Sequence, residues 1–160
     1  MSKRLTILVC MLAGLLWSFG VLWMGRQLVI PIAMIQPATM GAVFAPGLVL
    51  MMMIGRLAQR RFFDDSLIDG QTFAPDSKAA IDQRVLTNTV EQIVLALCIW
   101  PFAGFSLGAG VVLALGLGFA LARLMYWVGC HVSPVLRGLG FAATFFPTVL
   151  AALWVLWRLV

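Results

Sequence analysis

Apolar stretches of about 20 residues recur five times along this chain of 160 residues. The five stretches are Leu5–Met24, Ala38–Leu57, Val85–Phe102, Leu107–Gly129 and Val135–Trp157. A helix needs about 20 predominantly apolar residues to cross the hydrocarbon core of a bilayer. Hydrophobic residues make up 62% of the chain and charged residues 11%, so little remains for a soluble domain. The sequence therefore predicts an all-α membrane protein with five transmembrane helices.

The basic residues are unevenly distributed between the two ends of these spans. If the N-terminus is cytoplasmic, nine of the 11 Lys and Arg residues lie on the cytoplasmic side, and only Arg26 and Arg158 lie on the other. This asymmetry follows the positive-inside rule. We therefore expect a multi-pass protein of a bacterial inner membrane with a cytoplasmic N-terminus. The net charge of +5 reflects this topology rather than nucleic-acid binding.

The one long polar connection, Asp64–Asp82, is acidic. It holds five aspartates against Lys78, so its charge offsets the arginines that flank it and argues against a polybasic lipid-binding patch. Ser77 or Asp76 is expected to cap the helix that follows.

The cysteines and the histidine do not form a metal-binding pattern. Cys10, Cys98 and Cys130 lie within apolar stretches or at the end of one, without CxxC or Cys/His ligand spacing, and His131 is the only histidine. Such cysteines are usually packed thiols. We therefore expect no metal site.

A polar face enters the third apolar stretch. Arg84, Asn88 and Glu91 are spaced i, i+4 and i+7, so a helix places all three side chains on one face. The residues that follow, Ile93–Trp100, are almost purely apolar, which indicates that this face extends into the bilayer. Charged groups there are costly unless they pair with each other or bind a ligand.

A second polar face lies near the end of the fourth stretch. Arg123, Tyr126 and Cys130 are spaced i, i+3 and i+7. The Ser-Pro pair that follows is a good N-cap and first residue for the fifth helix, which places Arg137 in its first turns. Both faces lie near the predicted cytoplasmic surface, where we expect them to meet the arginines at the end of the second helix.

Each of these arginines also has a local explanation. Arg84 can pair with Glu91 or with Asp82. Arg123 can extend its charge towards the membrane surface, and Arg137 can simply mark the cytoplasmic side. As a set, however, they leave positive charge in or beside the bilayer with one nearby anion, which favours the binding of a small anionic ligand.

The two faces together resemble the MAPEG family, the membrane-associated proteins of eicosanoid and glutathione metabolism, which include microsomal glutathione transferases and leukotriene C4 synthase. The resemblance is carried, in order, by Arg84-x3-Asn88-x2-Glu91 and Arg123-x2-Tyr126-x3-Cys130-x6-Arg137. It covers Ala38–Trp157 and implies a MAPEG-like four-helix bundle in residues 38–160. Residues 1–37 would then form an additional N-terminal helix and its link. The resemblance also implies a homotrimer that binds glutathione between adjacent subunits.

The resemblance further implies roles for individual residues. Arg137 falls where synthases of the family have the arginine that stabilises the glutathione thiolate. Contacts to glutathione are implied for Arg60, Arg61, Arg84, Asn88, Glu91, Arg123, Tyr126 and Cys130. A thiol with an ordinary pKa of about 8.5 attacks only as the thiolate, which a guanidinium beside a helix N-terminus favours. The expected function is a membrane-embedded glutathione transferase or peroxidase that uses glutathione as co-substrate against a lipophilic electrophile from the surrounding lipid.

The chain departs from the family pattern at two ligand positions. Cys130 and Gln92 stand where synthases of the family have tyrosines, so a different thiol ligand remains an alternative. The alternative function is a non-catalytic lipid-binding or scaffold protein, of which the family has an example. A channel or transporter finds little support, because no span has a ring-forming acidic pair or a broken helix with a polar lining.

Overall fold

The structure, a computed structural model, describes residues 3–160, and every regular element within that range is helical. The elements are α1 (Lys3–Gln27), a short 3-10 helix (Ile32–Met34), α2 (Ile35–Phe62), α3 (Lys78–Leu107), α4 (Ala109–Val132) and α5 (Pro134–Leu159). Across the described range, five helices are long and apolar enough to span a membrane. The predicted all-α membrane fold with five spans is confirmed.

The N-terminal helix α1 packs into the bundle, against α4 and α5. A Cβ added at Gly14 would overlap Ala142 of α5. One added at Gly110 of α4 would overlap the carbonyl oxygen of Gly25. Ser18 is fully buried and donates to the Gly14 carbonyl oxygen at 2.7 Å, so its hydroxyl is satisfied within α1. Small residues commonly allow this close backbone approach between membrane helices, and α1 is an integral part of the packing.

The centre of the bundle lies where α3, α4 and α5 meet. Trp100 of α3 is 1% exposed, and its ring lies edge-on to Phe119 of α4 with centroids 5.6 Å apart. Its Nε1 donates to Thr148 Oγ1 of α5 at 3.1 Å. α2 closes this core at Gly116 of α4, where an added Cβ would overlap the backbone of Ala42. These three contacts join α2, α3, α4 and α5 at the centre of the bundle.

The end of α3 differs from the expectation. The sequence predicts a helix end near Trp100, because Pro101 and Gly104 favour a tight hairpin, but the helix continues through these residues to Leu107. Pro101 lacks an N–H and removes one helical hydrogen bond, whereas a turn at this point would leave several backbone groups unpaired in lipid. The chain reverses instead at Gly108, whose φ of 108° and ψ of 159° are open essentially only to glycine.

The start of α2 also lies earlier than predicted. The helix begins at Ile35 rather than Ala38, and Pro37 lies in its first turn. A proline is accommodated there because the first N–H groups of a helix have no partner within the helix. The apolar link after α1 is correspondingly short.

The predicted start signals of α3 and α5 are confirmed. Ser77 is the N-cap of α3, and its Oγ accepts from the Ala80 N–H at 3.1 Å. α5 begins at Pro134, with Ser133 in the N-cap position, although the Ser133 side chain makes no capping hydrogen bond. α2 ends and α3 begins at the same end of the bundle, joined by residues 63–77. We call this the loop end.

Candidate functional site

Arg123 lies in the interior of the protein. It is 0% exposed, its Nη1 donates to Asn88 Oδ1 of α3 at 2.8 Å, and its Nη2 donates to Thr144 Oγ1 of α5 at 2.9 Å. The guanidinium lies over the Tyr126 ring, with Cζ 4.6 Å from the centroid, a cation–π contact. Its Nε has no hydrogen-bond partner within residues 3–160. Arg123 therefore joins α3, α4 and α5 through a charge held inside the bundle.

The polar chain continues from Arg123 to the surface of α3. Asn88 accepts from Arg123 with Oδ1 and donates from Nδ2 to Glu91 Oε2 at 3.2 Å. Thr144, at the other side of Arg123, donates to the Phe141 carbonyl oxygen at 2.8 Å. The structure thus brings together the two faces that the sequence indicated, with Asn88 as the link between them.

Arg84, Asn88 and Glu91, which we call the α3 polar face, are open to the outside of a single chain. Arg84 Nη2 is 3.9 Å from Asp76 Oδ1, but these side chains are 66% and 94% exposed, so the pair contributes little. Glu91 is exposed and lies roughly 20 Å along the helix axis from the start of α3. A carboxylate at that depth is costly beside lipid. We therefore expect a ligand or another subunit to cover this face.

Close packing of α4 on α5 determines the positions of Tyr126, Cys130 and Arg137, the remaining residues of the predicted site. A Cβ added at Gly129 would overlap the backbone nitrogen of Arg137. One added at Gly140 would lie 2.6 Å from Tyr126 Cα. Tyr126 and Cys130 are partly buried. The Arg137 side chain is exposed and has no ion-pair partner in the described part of the chain.

The paired arginines at the end of α2 do not reach the α3 polar face within one chain. Arg60 Nε donates to Asp82 Oδ2 at 2.8 Å. Arg61 turns towards the loop, with Cζ 4.6 Å from the Phe73 ring centroid. Asp82 precedes Arg84 by two residues, which places it about 200° away around the helix. The expected meeting of both polar faces with these arginines is therefore not observed in a single chain, because Asp82 holds Arg60 on the opposite side of α3.

Sequence reasoning missed a buried carboxylate at the loop end. Asp82 is 3% exposed, and its Oδ1 accepts from Trp127 Nε1 at 2.8 Å and from His131 Nε2 at 2.7 Å. Its Oδ2 accepts from Arg60. Because an ionised carboxylate only accepts hydrogen bonds, we assign a proton to His131 Nε2. These contacts join the end of α2, the start of α3 and the end of α4.

One signal in the sequence marks Asp82 as buried. It precedes Val85 and Thr89 by three and seven residues, and both of these are at most 1% exposed. Asp82 thus lies on the core-facing stripe of α3. Trp127 and His131 are spaced i, i+4 on α4 and both carry a donor. A carboxylate on a core stripe needs such donors, but the sequence does not state which helix supplies them.

The fold and this polar chain define the class of protein. The described range contains five helices of bilayer length, and hydrogen bonds connect the buried Arg123 through Asn88 to the exposed Glu91 on α3. Among residues 3–160, no group of three or more His, Cys, Asp or Glu residues is arranged to hold a metal ion. The chain is an integral multi-pass membrane protein with a polar face on α3.

Residues 34–157 match the MAPEG family. This match covers most of the chain, and the chain belongs to the MAPEG family. The matched region contains α2, α3 and α4 and nearly all of α5, whereas α1 lies outside it. Comparison with curated proteins and with solved structures gives no match. Membership of this family indicates a glutathione-related function in the membrane.

Proposed function

We propose that this protein is a membrane-embedded glutathione transferase or peroxidase, which activates the glutathione thiol against a lipophilic electrophile. Glutathione is the co-substrate, and the electrophile enters laterally from the bilayer. The observation that carries this proposal is the hydrogen-bonded chain from Thr144 through Arg123 and Asn88 to Glu91. It fixes Asn88 and Glu91 of the α3 polar face, where the family membership leads us to expect a glutathione site.

The α3 polar face is chemically complementary to glutathione. The tripeptide carries one amine and two carboxylates, and the face offers the carboxylate of Glu91, the amide of Asn88 and the guanidinium of Arg84. A guanidinium suits a carboxylate because it donates two parallel hydrogen bonds. Arg84 has only a loose, exposed contact to Asp76 in the chain, so it is free to make these bonds.

We assign the stabilisation of the glutathione thiolate to Arg137. This residue is the fourth of α5, and its backbone N–H bonds the Ser133 carbonyl oxygen at 3.0 Å. Its guanidinium has no carboxylate partner in the described residues, so its charge is available to a thiolate. The positive end of the α5 dipole acts in the same direction.

The lipophilic electrophile is assigned to an aromatic surface beside Tyr126. Phe141 lies 6.5 Å from the Tyr126 ring, centroid to centroid, and stacks on Phe145 at 5.9 Å. Phe141 is 38% exposed. Aromatic side chains at the edge of a polar site provide apolar contact area for a hydrophobic substrate.

A scaffold function is the second candidate, and one observation favours it. Gln92, which stands at a tyrosine position of the family's synthases, is 9% exposed and faces the core. It therefore does not replace the missing aromatic group on the α3 polar face. Calorimetric titration of the detergent-solubilised protein with glutathione, followed by a conjugation assay with a lipophilic electrophile, tests the choice. Binding with turnover supports the enzyme, and binding of lipid without turnover supports the scaffold.

We expect the protein to form a homotrimer in which a neighbouring subunit covers the α3 polar face. The physical reason is the cost of leaving Glu91 beside lipid. Arg60 and Arg61 take part in glutathione binding only if the neighbour supplies them, since neither reaches this face in its own chain. Native mass spectrometry in mild detergent should show a trimer. A stable monomer would contradict the intersubunit site.

Glu91→Gln is expected to weaken glutathione binding by roughly tenfold to a hundredfold, the range of one charge-assisted hydrogen bond. The change removes the only anion on the face that can hold the ligand amine, while the amide keeps the contact to Asn88. Asp65→Asn is the matched control, because it also replaces a carboxylate by an amide, at an exposed position in the loop. Equal affinities of wild type and Glu91→Gln, measured by calorimetry, would mean that the amine is held elsewhere.

A further inference from the structure

A second polar cleft opens at the loop end, between the end of α2, the start of α3 and the end of α4. Its volume is about 720 Å³. Its polar wall contains Arg56, Arg60, Lys78 and His131, with the carboxylate of Asp82 at its base. Among these residues, the family resemblance implies a glutathione contact only for Arg60, and no ligand is assigned to the others.

The cleft carries excess positive charge. Three cations, Arg56, Arg60 and Lys78, face one carboxylate, Asp82, which leaves two positive charges when His131 is neutral. Arg56 has one long contact of 3.5 Å to the Gln59 side chain, and Lys78 has no ion-pair partner among residues 3–160. These charges are therefore available to an anion.

Asp82 orients the side chains that line the cleft, and its oxygens are already hydrogen-bonded to them. Its two oxygens already accept from Arg60, Trp127 and His131. Arg60 uses only Nε for this contact, so both of its terminal nitrogens remain available. A buried carboxylate with three donors thus orients a guanidinium and an imidazole towards the same space, which is the arrangement that an anion with several oxygens requires.

The cleft is separate from the α3 polar face of its own chain. Asp82 lies nine residues before Glu91, which is about 180° around α3. The α3 polar face is directed to the other side of the same helix. Arg60 is also one of the residues for which the family resemblance implies a glutathione contact, whereas Arg56 and Lys78 belong to the cleft alone.

The apolar part of the lining indicates a lipid. Ile81, Trp127, Val128 and Val132 line the cleft, and both valines are more than half exposed on the outside of α4. All three helix ends that form the cleft are ends of candidate membrane spans. The ends of α2 and α3 carry cationic residues, as expected where phospholipid headgroups lie. An anion bound here would have its charged part against the arginines and its apolar part against α4.

The acidic loop does not cancel this charge. The linear sequence indicated that the loop aspartates offset the neighbouring arginines, but none of Asp64, Asp65, Asp69 and Asp76 lines the cleft. All four are exposed, so salt screens their charges more strongly than that of the buried Asp82.

We infer that this cleft binds the phosphate of an anionic phospholipid, with Arg56, Arg60 and Lys78 as the phosphate ligands and the outer surface of α4 along the acyl chain. Basic pockets between membrane helices are suited to such headgroups. Inorganic phosphate shares the headgroup chemistry but lacks the apolar part, so it serves as the probe for a soluble ligand.

The test compares three probes on the purified full-length protein in detergent: short-chain phosphatidylglycerol, phosphatidylcholine of the same chain length, and inorganic phosphate. Wild type should bind phosphatidylglycerol at least about tenfold more tightly than phosphatidylcholine, the effect of one good charge-assisted contact. Arg56→Gln/Lys78→Gln should lose this preference. Arg26→Gln/Arg158→Gln, which removes the same charge at the opposite end of the bundle, should keep it.

Two results would overturn the inference. An unchanged preference in Arg56→Gln/Lys78→Gln would place the lipid elsewhere, and inorganic phosphate that binds as tightly as phosphatidylglycerol would make the ligand a soluble phosphate. The single variants Arg56→Gln and Lys78→Gln guard against a folding defect in the pair. Each leaves the hydrogen bonds of Asp82 intact, so each should fold and show a partial loss.

Discussion

Arg137→Ala is expected to lower the rate of glutathione conjugation about ten- to a hundredfold while glutathione binding remains measurable. A guanidinium that lowers the pKa of the bound thiol by one to two units contributes about 1.4–2.7 kcal/mol of differential stabilisation to the thiolate. Anchors for the peptide part of glutathione remain on the α3 polar face, so the variant should still bind. Thiolate absorbance is expected when glutathione is added to wild type at neutral pH, and it should be absent from the variant.

Arg158→Ala is the matched control for this experiment. Arg158 is also an arginine near the end of α5, but at the opposite end of the helix, where it donates to the Ser106 carbonyl oxygen at 2.7 Å. Its replacement should leave the thiolate signal unchanged. If wild type shows no thiolate signal, Arg137 marks topology and the scaffold function is favoured. If Arg137→Ala loses binding and activity equally, Arg137 anchors the ligand instead of activating the thiol.

Gly116→Ala is expected to destabilise the bundle by about 1–3 kcal/mol, the usual cost of overpacking a core. The added Cβ would lie 2.5 Å from Ala42 Cα and would overlap the Ala42 carbonyl oxygen. These are backbone atoms, so no side chain can rotate away, and α2 and α4 must move apart. The free energy of unfolding in mixed micelles measures the effect.

Gly47→Ala on α2 is the control, because an added Cβ there would have no heavy atom within 4 Å among the described residues. Removing a glycine from a helix without a clash should stabilise the protein by about 0.4–1 kcal/mol. The two alanine variants should therefore shift stability in opposite directions. Equal stabilities would show that the α2–α4 contact does not restrict the fold.

The spans and the α3 polar face followed from local patterns. Apolar length alone predicted the five helices that the described range contains, because a lipid-exposed backbone must form all its hydrogen bonds within a helix. Likewise, the 3.6-residue period placed Arg84, Asn88 and Glu91 on one face without any knowledge of neighbouring helices. Both properties depend only on residues close together in the chain.

Contacts between helices determine the partners of Arg123 and Asp82, which local patterns do not predict. Arg123 reaches Asn88, 35 residues away, because the packing of α4 against α3 brings the two side chains within 2.8 Å. Asp82 accepts hydrogen bonds from Arg60 of α2 and from two residues of α4. The α4 donors, Trp127 and His131, follow Asp82 by 45 and 49 residues in the sequence. No local pattern states which helix will lie beside which, or at what rotation. The cost of a buried unpaired charge makes these contacts necessary, and the bundle's packing alone selects the donors that satisfy it.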